Sequence, residues 1–166
     1  MDDKRGRAAL RLVPDVAPES VETVAFCGHC GTRPRWTAVA MAPSRVCESC
    51  GLGLLLEADS ESAPREGDAF MVLDGALSIC AVSSAAEKLL ATREIDAVHR
   101  HLTELLVPAD AEPQARENLA VAVTWAARGD NTSQTATVRP ANIFGVRLRA
   151  RIASCGPPRA ALIVLD

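Results

Sequence analysis

Two pairs of closely spaced cysteines constrain this chain more than any other feature of its sequence. Cys27 and Cys30 form the first pair and Cys47 and Cys50 the second, each with two residues between the thiols. Two intervening residues let a tight turn aim both thiolates at one ion, and two such turns complete the tetrahedron that zinc prefers. Because four thiolates leave no coordination position for water, we expect a structural rather than a catalytic Zn²⁺.

Two other readings of these cysteines are weaker. Free or disulfide-bonded thiols do not explain why the same spacing occurs twice, since doubled pairs are a known signature of zinc binding. A redox-active pair usually occurs singly beside a βαβ pattern, which this sequence lacks. The metal hypothesis is therefore preferred.

The cysteines and the glycines that follow them, Gly31 and Gly51, resemble those of a zinc ribbon over residues 24–57. Trp36 to Met41 and Leu52 to Leu56 are its expected strands. The resemblance leaves the role open, because zinc ribbons bind DNA, RNA or protein, or only stabilise a fold. With thiolates and zinc included, residues 27–50 carry no net charge, which is atypical of a nucleic-acid reader. We expect the ribbon to extend or cap a neighbouring domain.

Composition narrows the class of protein. The chain has 166 residues, of which 48% are hydrophobic, and a net charge of −3. The length and apolar content suffice for one domain, or for a small domain with an appendage. The negative net charge offers no general attraction to nucleic acid or anionic lipid. No apolar run reaches the roughly 18 residues of a membrane span, and the start lacks the apolar stretch of a secretory signal. A cytoplasmic protein without a membrane partner is expected.

The sequence divides into four parts. Residues 1–23 are expected to be a mobile N-terminal segment, residues 24–57 the zinc ribbon and residues 58–68 an acidic linker. Glu57 to Asp68 contains five acids and one arginine, a composition too polar to form a core. Residues 69–166 form the second domain.

The second domain has the pattern of an α+β fold. Two strands at an Asp74-Gly75 turn are followed by helices and then by three strands, which predicts a five-stranded antiparallel sheet with its helices on one face. Ser83 or Ser84 is expected to cap the first helix, with Glu87 completing a capping box. The expected strands are Phe70–Leu73, Leu77–Val82, Ser133–Arg139, Phe144–Ala153 and Ala160–Leu165, and the long helix is Glu112–Arg128.

This part of the chain resembles a PAS domain, a small sensory fold. The resemblance rests on FMVLDGALSICAVSSAAEKLL, residues 70–90, and on HLTELLVPAD, residues 101–110. It departs from many members of the family at the entry to the first helix, where Ser83 or Ser84 replaces asparagine. The resemblance implies a pocket between sheet and helices, in which some members of the family bind haem, flavin or small metabolites.

Zinc at the four cysteines is the only cofactor that we expect. The ligand of the pocket in the second domain is unknown. The cysteine motif of flavin photochemistry is absent: Cys80 lies in an expected strand, as a small hydrophobe facing the core, and Cys155 in an expected loop. His99 and His101 flank Arg100 in a polar stretch, so we interpret them as solvated or capping residues rather than haem ligands. Glycine-rich phosphate loops and glycine-flanked nucleophiles are also missing, so an enzyme is the least supported class.

Strand alternation places Arg147, Arg149 and Arg151 on one sheet face, a feature that packing does not explain. The face is either solvated or an interaction site for the acidic linker, a second subunit or an acidic partner. Docking of the linker is preferred. We therefore predict a regulatory sensing and protein-interaction module that acts in trans, since no output segment follows Asp166, or through homodimerisation. The alternative is a nucleic-acid-associated transcriptional regulator that uses Arg33, Arg35, Trp36 and Arg45 of the ribbon.

Overall fold

The N-terminal part of the described chain is a small hairpin that carries the two cysteine pairs. The computed structural model describes residues 22–36, 38–110 and 113–166, so that most of the expected mobile segment 1–23 lies outside the described residues. Strand β1 (Thr23–Cys27) pairs antiparallel with β2 (Leu55–Asp59), and a 3₁₀ turn (Val39–Met41) lies between them. The expected strand over Trp36 to Met41 is wrong, because the described residues there form this turn instead.

The second part has the alternation of strands and helices that the sequence predicted. Its helices fall between the second and the last three strands of the main sheet, with one short strand before the long helix. The elements are β3 (Ala69–Leu73), β4 (Ile79–Val82), α1 (Ser84–Leu90), α2 (Glu94–Ala97), a 3₁₀ turn (Leu102–Glu104), β5 (Leu106–Pro108), α3 (Pro113–Ala127), β6 (Gln134–Pro140), β7 (Leu148–Gly156) and β8 (Ala160–Leu165).

The five expected strands are adjacent in the order β6-β7-β8-β3-β4, all antiparallel. The predicted α+β class is therefore confirmed. Three strands were not expected in this sheet: β5 pairs with β6, and the β1–β2 hairpin joins through β2, which pairs with the end of β7. Glu57 lies opposite Gly156 and Ala58 opposite Cys155, so the ribbon continues the sheet of the second domain.

The inner face of the sheet is packed against the helices. Met71 and Leu73 of β3 point into a cluster with Ile163 of β8, and Leu90 of α1 and Val123 of α3 close it from the other side. All five side chains are at most 2% exposed. The helices therefore lie on one face of the sheet, as predicted, and this cluster packs between them and the sheet.

The outer face of the sheet is covered in part by the ribbon. Phe70 and Val72 of β3 and Leu162 of β8 are buried there beneath Phe26 of β1 and Leu56 of β2. The rings of Phe26 and Phe70 meet edge to face, with centroids 5.9 Å apart. The ribbon thus buries apolar surface that would otherwise face water.

Residues 58–68 do not form the exposed connection that their acidic composition predicted. They begin inside β2, and Ala58, Ser62 and Ala63 are buried, two of them in the outer-face core. The backbone N–H of Ala63 donates to the carbonyl of Asp59, which turns the chain back onto the sheet. Small residues between the acids allow this, because the carboxylates stay at the surface while alanine fills the core.

Candidate metal centre and its contacts

The four cysteines of the two pairs converge on one point. All four Sγ atoms lie within 4.8 Å of one another. Cys27 and Cys50 have their sulfurs 3.6 Å apart, and Cys30 and Cys47 have theirs 3.9 Å apart. Zinc–sulfur bonds of about 2.3 Å in a tetrahedron require sulfur–sulfur distances of about 3.8 Å. The donor set and its spacing therefore fit a tetrahedral zinc ion held by Cys27, Cys30, Cys47 and Cys50.

Backbone hydrogen bonds position both pairs. In the first knuckle, Cys27 to Gly31, the N–H of Gly31 donates to the carbonyl of Cys27. In the second knuckle, Cys47 to Gly51, the N–H of Gly51 donates in the same way to the carbonyl of Cys47. Pairing of Cys27 with Leu55 across the hairpin then brings the two turns together. The repeated sequence spacing thus produces repeated local geometry.

Backbone N–H groups also point at the sulfurs. Those of His29 and Cys30 lie 3.4 and 3.5 Å from the Sγ of Cys27, and that of Gly53 lies 3.5 Å from the Sγ of Cys50. Burial raises the pKa of Cys27 in the metal-free chain. For Cys50 burial acts in the same direction, but the N–H groups of Gly53 and Leu52, together with the thiols of Cys27 and Cys30, outweigh it and lower the pKa to about 6. Such N–H donors stabilise the thiolates that a metal requires.

The first knuckle contacts the start of the helical layer. The carbonyl of His29 accepts the N–H of Ser84, the first residue of α1, at 3.1 Å. The Nδ1 of His29 lies 3.1 Å from Oε2 of Glu94, the first residue of α2. The other oxygen of Glu94 accepts the N–H of Val82, the last residue of β4, at 2.9 Å. The first knuckle is therefore hydrogen-bonded to α1 and α2 directly, and to β4 through the carboxylate of Glu94.

These contacts were missed by the reasoning from sequence. His29 lies between two expected ligands, which is the one local signal that its carbonyl or ring would be held in place. Glu94 is 65 residues away, and nothing in the sequence links it to the knuckle. The capping box at α1 is also absent, because Glu87 accepts the N–H of Glu94 instead of one at the helix start. Ser83 does cap α1, through the N–H of Ala86.

The three arginines predicted as an interaction site lie apart from the metal centre. Arg147 pairs with Asp110 at 2.8 Å, and Arg151 pairs with Asp166 at 3.0 Å. Arg151 also donates to the carbonyl of Glu61, at 3.2 Å. Arg149 is exposed and has no side-chain partner among the described residues. Of these three arginines, only Arg151 has a described side-chain contact with the acidic segment, and it bonds a backbone carbonyl rather than a carboxylate.

Cys80 and Cys155 have the opposite environments to those expected from the sequence, which placed Cys80 in the core and Cys155 in a loop. Cys80 is exposed, because a bulge in the β3–β4 pairing between Val72 and Leu73 breaks the alternation at this residue. Cys155 is buried in β7, and burial raises its pKa to about 12. The expected loop begins later, because Cys155 is paired with both Ala58 and Ala160.

His99 and His101 lie at the entry to the 3₁₀ turn Leu102–Glu104. His99 has a positive φ of 69° in the segment before the 3₁₀ turn. His101 caps this turn, since its side chain accepts the N–H of Thr103 and Glu104 accepts the N–H of His101. A capping role for His101 agrees with its interpretation from sequence.

The ribbon residues proposed for nucleic-acid contact are divided between two environments. The side chain of Arg33 donates to the carbonyl of Ala63, and that of Arg45 donates to the carbonyls of Leu55 and Pro157. A cleft of about 210 Å³ is lined by Arg33, Arg35 and Trp36. Two of the four residues thus already serve contacts between the ribbon and the rest of the chain.

Comparisons with known proteins give similarities to solved structures only. No protein-family model matches the chain, and no curated protein matches it either. Within the part of the chain that the structure describes, no helix is both long and apolar enough to cross a membrane.

Several of the solved structures that match are of PAS domains. That of nitrogen regulation protein NR(II) from Vibrio parahaemolyticus is 18% identical, with a TM-score of 0.45 over 60% of this chain and 88% of that one. That of the quorum-sensing receptor RpfR from Cronobacter turicensis, in complex with C12:0, is 12% identical, with a TM-score of 0.47 over 61% and 92%. A PAS domain from Colwellia psychrerythraea is 19% identical, with a TM-score of 0.40 over 60% and 85%. The PAS domain is also the family that residues 70–90 and 101–110 resemble in sequence.

Proposed function

We propose that this protein is a regulatory sensing and protein-interaction module in which a structural zinc ribbon is joined to a PAS-like domain. The observation that carries the proposal is the set of hydrogen bonds from His29 to Ser84 and Glu94. These bonds tie the metal-binding loop to the first two helices of the domain. A conformational change in the ribbon therefore alters the position of these helices, and a change in the helices alters the ribbon. A regulatory module requires such coupling between two sites.

The metal has a structural role in this proposal. Bound zinc would hold Cys27, Cys30, Cys47 and Cys50 together and so stabilise a hairpin whose own core is small. That core consists of Ala25, Val39 and Leu55 packed beside the cysteines. Small domains of this kind usually fold only with their metal. No catalytic step is assigned to the site, because four thiolates leave zinc no open position.

Signalling through a partner is part of the same proposal. Side chains of the inner cluster pack between sheet and helices, and the clefts described for this chain, among them one of about 390 Å³ between α3 and β6, are open to the surface. Recognition is therefore proposed at surface sites, by a second protein, by a second copy of the chain or by a small ligand. The arginine face is left as a minor contributor, because Arg147 and Arg151 are already paired.

Hydrogen exchange tests the coupling between ribbon and helices. Removal of zinc by a chelator should speed exchange of the Ser84 amide roughly five- to tenfold, because its acceptor, the carbonyl of His29, is no longer held. Glu94→Gln should speed exchange of the Val82 amide in the zinc-loaded protein by a smaller factor. Asp96→Asn is the matched control, because Asp96 lies on the same helix but pairs with Arg93. Unchanged exchange at Ser84 after zinc removal would refute the proposal.

One observation favours the second candidate, a nucleic-acid-associated regulator. Arg33, Arg35 and Trp36 line one cleft of the ribbon, and an arginine-rich cleft with an aromatic ring is suited to a phosphate and a base. Binding of this kind releases counterions, so affinity must fall steeply as salt rises. Titration of single-stranded DNA and RNA at two salt concentrations distinguishes the candidates. Weak binding that does not depend on salt would exclude the nucleic-acid role.

A further inference from the structure

A cleft on the outer face of the sheet is not used by the metal centre. It has a volume of about 310 Å³ and lies between the second knuckle and the bulged edge of β4. The chain segment after the second knuckle contributes Leu52 and Leu54, and the sheet contributes Val72 and Ala81. A volume at the lower end of the range for ligand sites fits a small molecule.

The apolar walls of this cleft are unusually open to water. Leu52 is 72% exposed and Leu54 is 52% exposed. The bulge in β4 adds the exposed thiol of Cys80 to the floor of the cleft. Bulges often occur beside functional sites because they turn a side chain out of the regular alternation. An occupant that covered the two leucines would gain the free energy of burying their surface.

The charges around the cleft select the kind of occupant. Asp74, Glu94 and Arg159 line it, which gives an excess of one negative charge. Arg159 donates to the carbonyl of Arg128, and Glu94 is held by Val82 and His29. Asp74 uses only Oδ1, which accepts the N–H groups of Ala76 and Ser78, and its Oδ2 has no partner among the described residues. This oxygen is free to accept a hydrogen bond from a cation.

We propose that this cleft binds a small apolar molecule with one cationic end, such as an alkylamine. The apolar part covers Leu52 and Leu54, and the ammonium group pairs with Asp74. The inference rests on the proposed sensing function and adds its ligand class. It also supplies a route to the ribbon, because Glu94 lines the cleft and holds His29.

Titration of the zinc-loaded full chain by NMR tests the proposal. The probes are n-hexylamine, 1-hexanol and hexanoate, which share a tail and differ in charge. Hexylamine should shift the backbone amides of Leu54, Cys80 and Ala81 in a saturable way, with an affinity up to about fivefold above that of hexanol. Hexanoate should bind more weakly than hexanol, because the cleft is negatively charged.

Three variants separate the contributions. Leu54→Ser should markedly weaken the binding of both hexylamine and hexanol, whereas Ile95→Ser, at an apolar residue that is 78% exposed outside the cleft, should leave it unchanged. Asp74→Asn keeps an oxygen for the turn and should remove the preference for hexylamine over hexanol. Equal binding of hexylamine and hexanoate, or no saturable shift with any probe, would overturn the proposal. Because hydrogen exchange at Ser84 is measured without these probes, the proposed function fails or stands independently.

Discussion

At the scale of single residues, the two knuckles look equivalent in sequence but differ in their surroundings. Gly31 and Gly51 both have positive φ, of 73° and 67°. A side chain at Gly31 would place its Cβ 2.6 Å from the carbonyl oxygen of Arg65, whereas nothing lies within 4 Å of the same position at Gly51. The first knuckle is therefore packed against the rest of the chain, and the second knuckle is open at this point.

This difference predicts unequal costs for the same substitution. Gly51→Ala should lower the free energy of unfolding by about 1 kcal/mol, the cost of a left-handed backbone with a side chain. Gly31→Ala should lower it by at least about 2 kcal/mol, because the backbone near Arg65 must also move. Urea unfolding of the zinc-loaded variants measures both values. Equal losses of stability would contradict the close packing of the first knuckle.

At the scale of elements, local chemistry was predictable and long-range pairing was not. The cysteine spacing predicted which four residues converge, since two ligands in one turn depend on local geometry. The exposure of Cys80 depends on a bulge in the pairing of β4 with β3, and the burial of Cys155 depends on the pairing of β7 with β2. The exposure of each cysteine is thus set by the strand that pairs with its own strand, and this partner can lie far away in sequence. Strand β1 was missed because TVAFC is short and follows a polar segment.

The segment after β2 shows how one arginine acts on a neighbouring element. Arg151 of β7 donates to the carbonyl of Glu61 at 3.2 Å, while Arg149, two residues earlier on the same strand, makes no such contact among the described residues. Charge complementarity predicted docking of the acidic segment on the three arginines, and the contact that the structure describes is a single hydrogen bond from Arg151 to a backbone carbonyl. The atom that accepts the hydrogen bond, a backbone oxygen, could not be predicted from charge.

Arg151→Ser should loosen this segment and Arg149→Ser should not. The exposed residue Arg65 lies in the same stretch and is a site for trypsin. Because a partly exposed hydrogen bond contributes little, cleavage after Arg65 should become roughly two- to fivefold faster in Arg151→Ser. Gel or mass-spectrometric time courses measure the rate. Identical rates in the two variants would show that Arg151 does not hold the segment.

At the scale of the whole molecule, the ribbon and the α+β domain share one sheet and one outer core. The sequence was divided at residues 57 and 68 because composition changes there. The composition of this segment shows only that it is polar on average. Its small residues Ala58 and Ala63 nevertheless pack into the outer-face core. The result is that Phe26 and Leu56 of the cysteine-bearing hairpin complete a core whose other half is Phe70, Val72 and Leu162.

This shared core predicts how the molecule responds to loss of zinc. Without metal the hairpin should open and uncover the outer-face cluster, while the inner cluster between sheet and helices stays intact. The protein from which a chelator has removed zinc should then bind a hydrophobic dye such as ANS and retain most of its far-ultraviolet circular dichroism. Its melting temperature should be lower than that of the zinc-loaded protein. Phe26→Ala with zinc bound should reproduce part of this change and lower the free energy of unfolding by about 3–5 kcal/mol.

Restoring zinc provides the control for this experiment. Dye binding should reverse on addition of Zn²⁺ to the wild-type chain, because the four thiols and the hairpin are still present. It should not reverse in Cys47→Ser, which lacks one ligand, whereas Cys80→Ser should behave like the wild type. If the chelated protein bound no dye and kept its melting temperature, the ribbon would not contribute to the outer core. Complete unfolding on chelation would mean instead that the inner core depends on the metal as well.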